Sequence, residues 1–242
     1  MSGLDFFASD VHISADRPDI TERFMRFLEV AESEAARLFL LGDIFDLWLG
    51  PKQTRLPYVQ PVLERLRAIA SAGIPVTYLA GNRDFNFDAR VNGGPPPRQL
   101  PDELTIDSGG LKLYLTHGDL LCTGDRGYGK TRRAARSGLA RWLLNNSPLS
   151  FSLWVTRGLR RLSARKLSRK KRLETAIDFS RVRSQLLRGH DAVVTGHVHR
   201  AARYRVTLEE GRTGEFVTLG DWSREGIYLV SGGGSLEFRR IR

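Results

Sequence analysis

Residue types that bind metal ions recur at five places in the chain, each directly after a short apolar run. In chain order the five motifs are Asp10-x-His12, Gly42-Asp43, Gly81-Asn82-Arg83-Asp84, His117-Gly118-Asp119 and Gly196-His197-x-His199. Imidazoles and carboxylates with one amide and no thiolate suit Mn²⁺, Fe or Zn²⁺ better than a structural zinc. The donors are too many for one tetrahedral ion. The motifs therefore predict two ions, an arrangement that clamps phosphoryl oxygens and generates hydroxide at neutral pH.

Each motif taken singly also has an ordinary structural explanation. Asp43 is a common type of turn residue, an Asp-x-His pair arises by chance, and His197 with His199 can be a hydrogen-bonded pair at a strand end. As an ordered set the motifs predict a single site, because loops at the carboxyl ends of strands are where α/β folds place their sites. The fifth histidine, His190, lies outside the motifs and is expected to be a surface or turn residue.

The apolar runs before the motifs predict the strands that position them. They cover residues 4–8, 38–41, 75–80, 111–116 and 191–195, and they are apolar enough to be covered on both faces. Two helices separate the first three strands: one opens at a capping box, Asp19-Ile20-Thr21-Glu22, and the other runs from 58 to 72. Alternating runs around 204–208, 215–219, 227–230 and 235–238 predict antiparallel strands. The fold class is therefore α/β, with two sheets and the helices outside.

The charge of the chain is concentrated in one segment. The 242 residues carry a formal net charge of +11, and fifteen Lys or Arg with no Asp or Glu lie between Arg126 and Arg172. Such an excess predicts an anionic partner, which is nucleic acid, an anionic membrane face or a phosphorylated small molecule. We expect a main domain of residues 1–121 and 178–242, interrupted by a basic insertion at 122–177.

Apolar residues are interleaved with the basic ones in this insertion. They are Leu139, Trp142, Leu143, Leu144, Phe151, Leu153, Trp154 and Val155. The pattern predicts a helical lid that lies on an anionic membrane or closes over acyl chains; the alternative is that the aromatic residues pack on the main domain. A surface loop is expected at 93–97. We expect neither a signal peptide nor a membrane span, and the single cysteine, Cys122, is expected to be a packing residue in a reducing compartment.

The five ordered motifs resemble those of the calcineurin-like metallophosphoesterase family over nearly the whole chain outside the basic segment. This resemblance implies a layered α-β-β-α sandwich and two divalent ions, for which we expect Mn²⁺. One ion is then bound by Asp10, His12 and His199 and the other by Asn82, His117 and His197, with Asp43 bridging them. Asp46, Asp84 and Asp119 are expected to orient these ligands.

One branch of that family is similar to this chain in more detail, the UDP-2,3-diacylglucosamine diphosphatases of lipid A synthesis. Much of the family has a histidine where this chain has Arg83. The chain resembles the branch at three stretches, residues 42–48, 81–85 and 117–128. Gly124 and Val198 depart from it, since Asp and Thr are expected there.

The resemblance to this branch implies hydrolysis of a nucleotide-linked glycolipid to UMP and 2,3-diacylglucosamine 1-phosphate. The implied catalytic residues are Asp43, Asn82, Arg83 and His117. The implied substrate-binding residues are Asn82, Arg83, Asp125, Tyr128, Arg172 and His197. The enzyme is then cytoplasmic and peripheral to the inner membrane, with no obligate protein partner evident.

Three other functions stay open at this stage. A dimetal nuclease or phosphodiesterase uses the same ligands and lays a basic, aromatic segment along a phosphate backbone. A soluble nucleotide pyrophosphatase is indifferent to acyl chains. A non-catalytic membrane-surface adaptor keeps the fold without the chemistry, because fold alone does not decide function.

Overall fold

Two five-stranded sheets form the centre of the structure, a computed structural model that describes residues 3–88, 91, 100–122, 128–151, 154, 158 and 177–241. The strands are β1 Leu4–Ala8, β2 Ala35–Leu40, β3 Val76–Tyr78, β4 Glu103–Ser108, β5 Leu111–Thr116, β6 Ala192–Thr195, β7 Ala202–Thr207, β8 Thr213–Thr218, β9 Gly226–Gly232 and β10 Ser235–Ile241. The α-helices whose bounds lie within the described residues are α1 Pro18–Glu34, α2 Gln60–Ser71, α3 Tyr128–Ala135, α4 Gly138–Asn146 and α5 Phe179–Leu187.

Both sheets are mixed, with a parallel centre. The first has the order β10-β9-β1-β2-β3, and β1, β2 and β3 are parallel. The second has the order β4-β5-β6-β8-β7, and β5, β6 and β8 are parallel. All five strands that precede a metal-binding motif belong to these parallel groups, so in each sheet the motifs emerge at one edge.

Side chains that alternate along the strands divide the interior into three layers of packing. Phe7 on β1 stacks on Phe39 of β2 between the two sheets, at 5.1 Å between ring centroids. Phe6, the neighbour of Phe7, points the other way and packs with α1 and α2. On the far side, Val193 and Phe216 pack against α5. The predicted two-sheet α/β fold with helices outside is confirmed, and its central strands are buried on both faces.

The predicted capping box at the start of α1 is wrong. The helix begins at Pro18, and Arg17 occupies the cap position without a side-chain hydrogen bond. Proline suits the first helical position because its fixed φ is already helical. Asp19 lies inside the first turn, where its carboxylate accepts a hydrogen bond from Arg17 Nε at 2.9 Å. The acidic group is therefore paired with an arginine instead of capping backbone N–H groups.

The antiparallel strands predicted after the insertion are confirmed. The four strands form two antiparallel pairs, but β7 and β8 lie in the second sheet while β9 and β10 lie in the first. Strand β8 is also parallel to β6. Neither β4 nor α5 was predicted. His190 is buried between them, with its ring 3.0 Å from the Thr105 hydroxyl and 2.8 Å from the Gln185 carbonyl oxygen, so its predicted surface position is wrong.

The two ends of the predicted insertion meet. Cys122 and Ile177 form an isolated antiparallel bridge, so the chain leaves and re-enters the main body at neighbouring points. The segment between them carries α3 and α4. Asp125, Arg172 and Gly124 lie outside the described residues, as do Leu153, Val155 and the loop at 93–97. Within the residues that are described, every helix is too short or too polar to span a bilayer.

Helix α4 has its polar side towards the main domain and its apolar side towards solvent. Arg141 Nε donates to Asn86 Oδ1 at 3.1 Å, and Asn86 Nδ2 donates to Asn145 Oδ1 at 2.7 Å. Leu139 and Trp142 on the other side are 70% and 61% exposed. These two side chains therefore do not pack on the main domain, and the helix presents an open apolar surface.

Candidate metal centre

The site is assembled where the first two motif loops run side by side beyond their strands. Asp10 N donates to Gly42 O at 3.2 Å, and His12 N donates to Asp43 O at 3.0 Å. These bonds extend the parallel pairing of β1 and β2 into the loops. The side chains of Asp10 and His12 then face the same region as Asp43, although both residues have a left-handed backbone and not the extended one that the sequence predicts.

The backbone at the predicted ligands is unusual. Among the described residues, positive φ angles outside glycine occur at five positions only, with φ between 55° and 68°. They are Asp10, His12, Asp43, His197 and His199. This conformation is disfavoured for residues with a Cβ atom, and it is found mostly where a site imposes it. The strain therefore coincides with the residues that the sequence singles out.

Asp10, His12 and His199 form the first group of donors. One ligand atom from each lies within 4.8 Å of the others. His199 Nε2 is 3.4 Å from His12 Nε2 and 3.5 Å from Asp10 Oδ1. Two lone-pair donors and a carboxylate thus converge, as the ligands of one cation do.

Asn82, His117 and His197 form the second group. Asn82 Oδ1 is 3.0 Å from His117 Nε2 and 3.1 Å from His197 Nδ1. Asp43 Oδ2 is 3.7 Å from His117 Nε2, and Asp10, Asp43 and His117 also place one ligand atom each within 4.8 Å. Asp10 thus belongs to both carboxylate–histidine groups, while the bridging role of Asp43 remains a prediction.

Hydrogen bonds across the gap between the sheets hold the two groups together. His117, at the end of β5, is 2.9 Å from Leu41 O through its Nδ1. His197 N, beyond β6, donates to Asp10 Oδ2 at 2.8 Å. The first contact turns Nε2 of His117 towards Asn82, since the two ring nitrogens point in different directions.

Asp84 anchors the loop that carries Asp43. Its buried carboxylate accepts hydrogen bonds from the backbone N–H groups of Asp43 and Ile44, at 2.9 and 2.8 Å, and from the Tyr78 hydroxyl. Gly81 makes this approach possible, because a Cβ atom there would overlap both Asp43 and Asp84. Asp84 therefore supports the site by fixing the backbone of Asp43.

This anchor leads to a prediction for stability. Asp84→Ala leaves several buried N–H groups without an acceptor, each costing about 1–3 kcal/mol. We expect the free energy of unfolding of the metal-free protein to fall by at least about 3 kcal/mol, measured by urea denaturation. The matched control is Tyr78→Phe, which removes one hydrogen bond to the same carboxylate and should cost about 1 kcal/mol. Equal losses in the two variants would contradict the anchoring role.

The electrostatics of the cluster fit a cation. Burial lowers the pKa of His12 to about 3 and that of His197 to about 4, because imidazolium loses its hydration. Burial acts on His117 in the same direction, but the carboxylates of Asp43 and Asp10 raise its pKa to about 9. Burial raises the pKa of Asp43 to about 7. Without a metal, the carboxylates hold a proton on His117, and a divalent cation would take that position.

Asp10 Oδ1 gives a direct test of whether a metal fits. This atom is buried and accepts no hydrogen bond from the part of the chain that the structure describes. A buried carboxylate oxygen without a partner is costly. The histidines that face it offer lone pairs, and the donor set contains no thiolate. The residues present therefore fit hard or borderline divalent ions.

Arg83 lies at the open side of the cluster. Its Nη1 donates to Asp46 Oδ1 at 2.8 Å, and its Nε is 3.7 Å from Asp43 Oδ2. The side chain is 37% exposed. Asp46 holds this guanidinium, which faces both the ligands and solvent, and its predicted support of a ligand stays a prediction.

Two arginines that sequence reasoning missed join the insertion to the ligand loops. Arg132 on α3 donates through Nε to Asp119 Oδ2 at 2.9 Å, two residues after His117. Arg136 donates through Nη2 to Gly81 O at 3.0 Å, the residue before Asn82. The sequence does not distinguish these two arginines, because they are two among many basic residues of the segment.

The predicted substrate contacts are only partly located. Arg83 and Asn82 lie in the cluster, together with His197. Asp125 and Arg172 fall outside the described residues, and Tyr128 is described only as the first residue of α3. Val198 is in the loop between two ligands, with its N–H donating to Gly196 O at 2.8 Å. The three remaining substrate contacts stay predictions.

A two-sheet sandwich with this cluster at its strand ends defines a metallophosphoesterase. The sequence profile described as Calcineurin-like phosphoesterase matches residues 6–201, and the chain belongs to that family. Members of the family work with a dimetal centre, for which this chain has candidate ligands.

Two relatives are similar along almost their whole length. The chain is 34% identical over 224 residues to the UDP-2,3-diacylglucosamine hydrolase of Edwardsiella ictaluri (strain 93-146), covering 92% of this chain and 86% of that protein. It is also 34% identical over 232 residues to the protein of the same name from Pseudomonas aeruginosa (strain UCBPP-PA14), covering 92% of each. Among solved structures, a dimetal phosphatase from Danio rerio has a TM-score of 0.50 at 13% identity, covering 100% of this chain and 99% of that one. That likeness concerns the fold alone.

Proposed function

We propose that this chain hydrolyses the pyrophosphate bond of UDP-2,3-diacylglucosamine and releases UMP and 2,3-diacylglucosamine 1-phosphate, a step of lipid A biosynthesis. The observation that carries the proposal is the 34% identity, over 92% of the chain, to proteins named UDP-2,3-diacylglucosamine hydrolase. The convergence of the predicted ligands supports a hydrolytic reaction at this site.

Two divalent ions, which we propose to be Mn²⁺, bind to the two donor groups. Bound there, they supply Lewis acidity towards phosphoryl oxygens and lower the pKa of water. Asp10, His12 and His199 would hold one ion, and Asn82, His117 and His197 would hold the other. Asp43 would bridge them, a role supported by its distance of 3.7 Å from His117 and by its place in one group with Asp10 and His117.

Arg83 binds the diphosphate of the substrate. Its guanidinium is held at the mouth of the cluster by Asp46, so little ordering is needed when an anion arrives. A planar cation with several N–H donors matches phosphoryl oxygens and stabilises the negative charge that they gain in the transition state. Asp46 keeps the guanidinium aimed at that position.

The insertion at 122–177 is the part of the chain that we assign to the acyl groups. Exposed apolar side chains on α4 offer a surface for hydrocarbon, and the basic residues around them suit anionic headgroups. This surface also supports attachment to the cytoplasmic face of the inner membrane. The main domain then consists of residues 1–121 and 178–242, and the insertion is its lid.

The function is tested by measuring Mn²⁺-dependent UMP release from the acylated UDP-sugar and from its deacylated analogue. A buried methylene contributes about 0.8 kcal/mol, so contact with a few of them should favour the acylated substrate by more than about 10-fold in kcat/KM. Replacing Trp142 by Ser should reduce this preference and leave turnover of the deacylated analogue unchanged.

The matched control is Tyr204→Ser, which removes an exposed aromatic residue from edge strand β7 and should keep the preference. Equal rates on both substrates would instead identify a soluble nucleotide pyrophosphatase. Cleavage of single-stranded DNA with a steep salt dependence would identify a nuclease. A protein without any Mn²⁺-dependent phosphodiester or anhydride hydrolysis would be the non-catalytic adaptor.

A further inference from the structure

His199 lies between two carboxylates, one inside the metal cluster and one outside it. Its Nε2 is 3.5 Å from Asp10 Oδ1, and its Nδ1 is 3.6 Å from Asp221 Oδ2. At 3.6 Å the second contact is electrostatic rather than a full hydrogen bond. Since the two nitrogens point to different sides of the ring, the arrangement turns Nε2 towards the cluster.

The carboxylate of Asp221 is itself held in place. Its Oδ1 accepts hydrogen bonds from the backbone N–H of Ser223 at 3.1 Å and from the Ser223 hydroxyl at 2.6 Å. Such a turn is a common local arrangement of Asp and Ser. It fixes one oxygen, so the other is directed at His199.

The loop that carries Asp221 is tied to the first motif loop. Trp222 is fully buried, and its Nε1 donates to Ser9 O at 3.1 Å, directly before Asp10. Arg23 on α1 donates to Trp222 O at 2.7 Å. Asp221 is therefore positioned by the same piece of backbone that positions the first donor group.

His117 provides an instructive comparison. There the second ring nitrogen contacts a backbone carbonyl, Leu41 O, which orients the imidazole. At His199 the Asp221 carboxylate takes the equivalent place. A metal-bound histidine whose other nitrogen faces a carboxylate is kept in one orientation and gains basicity.

We propose that Asp221 is a positioning residue that orients His199 for the first metal ion. The inference rests on the metal site of the proposed function and adds to it a residue outside all five motifs. Asp221 acts through His199 and does not bind the metal or the substrate itself.

The experiment measures Mn²⁺ binding to the full-length protein by titration calorimetry, with free Mn²⁺ counted from its EPR signal. Asp221→Ala should raise the dissociation constant of one of the two ions by about 10–100-fold. Asp221→Asn should stay within about 3-fold of the wild type, because the amide oxygen still presents partial negative charge to Nδ1 and the side chain can still accept hydrogen bonds from Ser223. Rescue by Asn separates orientation from charge.

Two further variants complete the design. Glu64→Ala removes one exposed carboxylate from α2, away from the site, and should leave both dissociation constants unchanged. In a His199→Ala background, Asp221→Ala should have no additional effect, because its only route to the metal has been removed. An unchanged affinity in Asp221→Ala, or an equal loss with His199 absent, would overturn the inference. A wild-type protein that binds no Mn²⁺ would overturn the proposed function as well, so the two failures are distinguishable.

Discussion

Replacing Asp43 by Ala should lower turnover by about 10³-fold at saturating Mn²⁺, the largest effect that we expect from any single substitution. The carboxylate is buried, lies 3.7 Å from His117 and accepts a hydrogen bond from Arg83 N at 2.9 Å. If it bridges two ions, its loss weakens both. The Mn²⁺ content after gel filtration should therefore fall from two ions per chain towards zero.

Two comparisons make this result specific. His197→Ala belongs to one donor group only and should cost the protein one ion, with a turnover loss of about 10²-fold. Asp107→Ala removes an exposed carboxylate from β4 and should change neither metal content nor rate. Near-wild-type turnover in Asp43→Ala or His197→Ala would contradict the dimetal scheme.

Replacing Arg83 by Ala should be the second largest effect, a loss of about 10²-fold in kcat with both metal ions retained. The guanidinium stands outside the donor groups, so its removal should reduce stabilisation of the transition state without emptying the site. Steady-state kinetics should show kcat and kcat/KM falling by similar factors, which indicates an interaction made in the transition state. Arg83→Lys should recover part of the rate, because lysine keeps the charge and loses the two-pronged geometry.

Arg65 supplies a matched control for this substitution. It is paired with Glu32 at 2.6 Å and has an exposure close to that of Arg83, but it lies on α2 away from the cluster. Arg65→Ala should leave both kinetic constants within about 2-fold of the wild type, as is usual for partly exposed ion pairs. If Arg83→Ala instead raised KM alone, Arg83 would contribute only to substrate binding.

The metal cluster could be predicted from the sequence because each ligand follows a strand with a strong apolar signal. Strands β1, β2 and β5 are short runs that cannot be confused with the long amphipathic helices between them. Their carboxyl ends must meet at one edge when the strands are parallel. The order of the motifs thus carried information about distances, and the structure places all seven predicted ligands in two adjoining groups.

Residues that act through tertiary contacts escaped prediction for a physical reason. Asp221 is an ordinary Asp in an Asp-x-Ser turn, and only folding brings it to His199, 22 positions earlier in the chain. His190 was misplaced because β4 and α5, which bury it, have weak sequence patterns. Arg132 looks like its basic neighbours until its contact with Asp119 is known. The local sequence pattern predicts strands well, but it predicts contacts between side chains that are distant in the sequence poorly.

The left-handed backbone at five of the predicted ligands lowers the stability of the fold at the same residues that metal binding requires. Each such residue carries a conformational cost of order 1–3 kcal/mol that glycine would not. One carboxylate oxygen among them, Asp10 Oδ1, is also buried without a hydrogen bond from the described residues. Replacing one of these ligands can therefore raise the melting temperature of the metal-free protein. Directed evolution that selects only for heat resistance would therefore replace these ligands first. A thermostable variant of this protein must be selected for stability and for catalytic activity together.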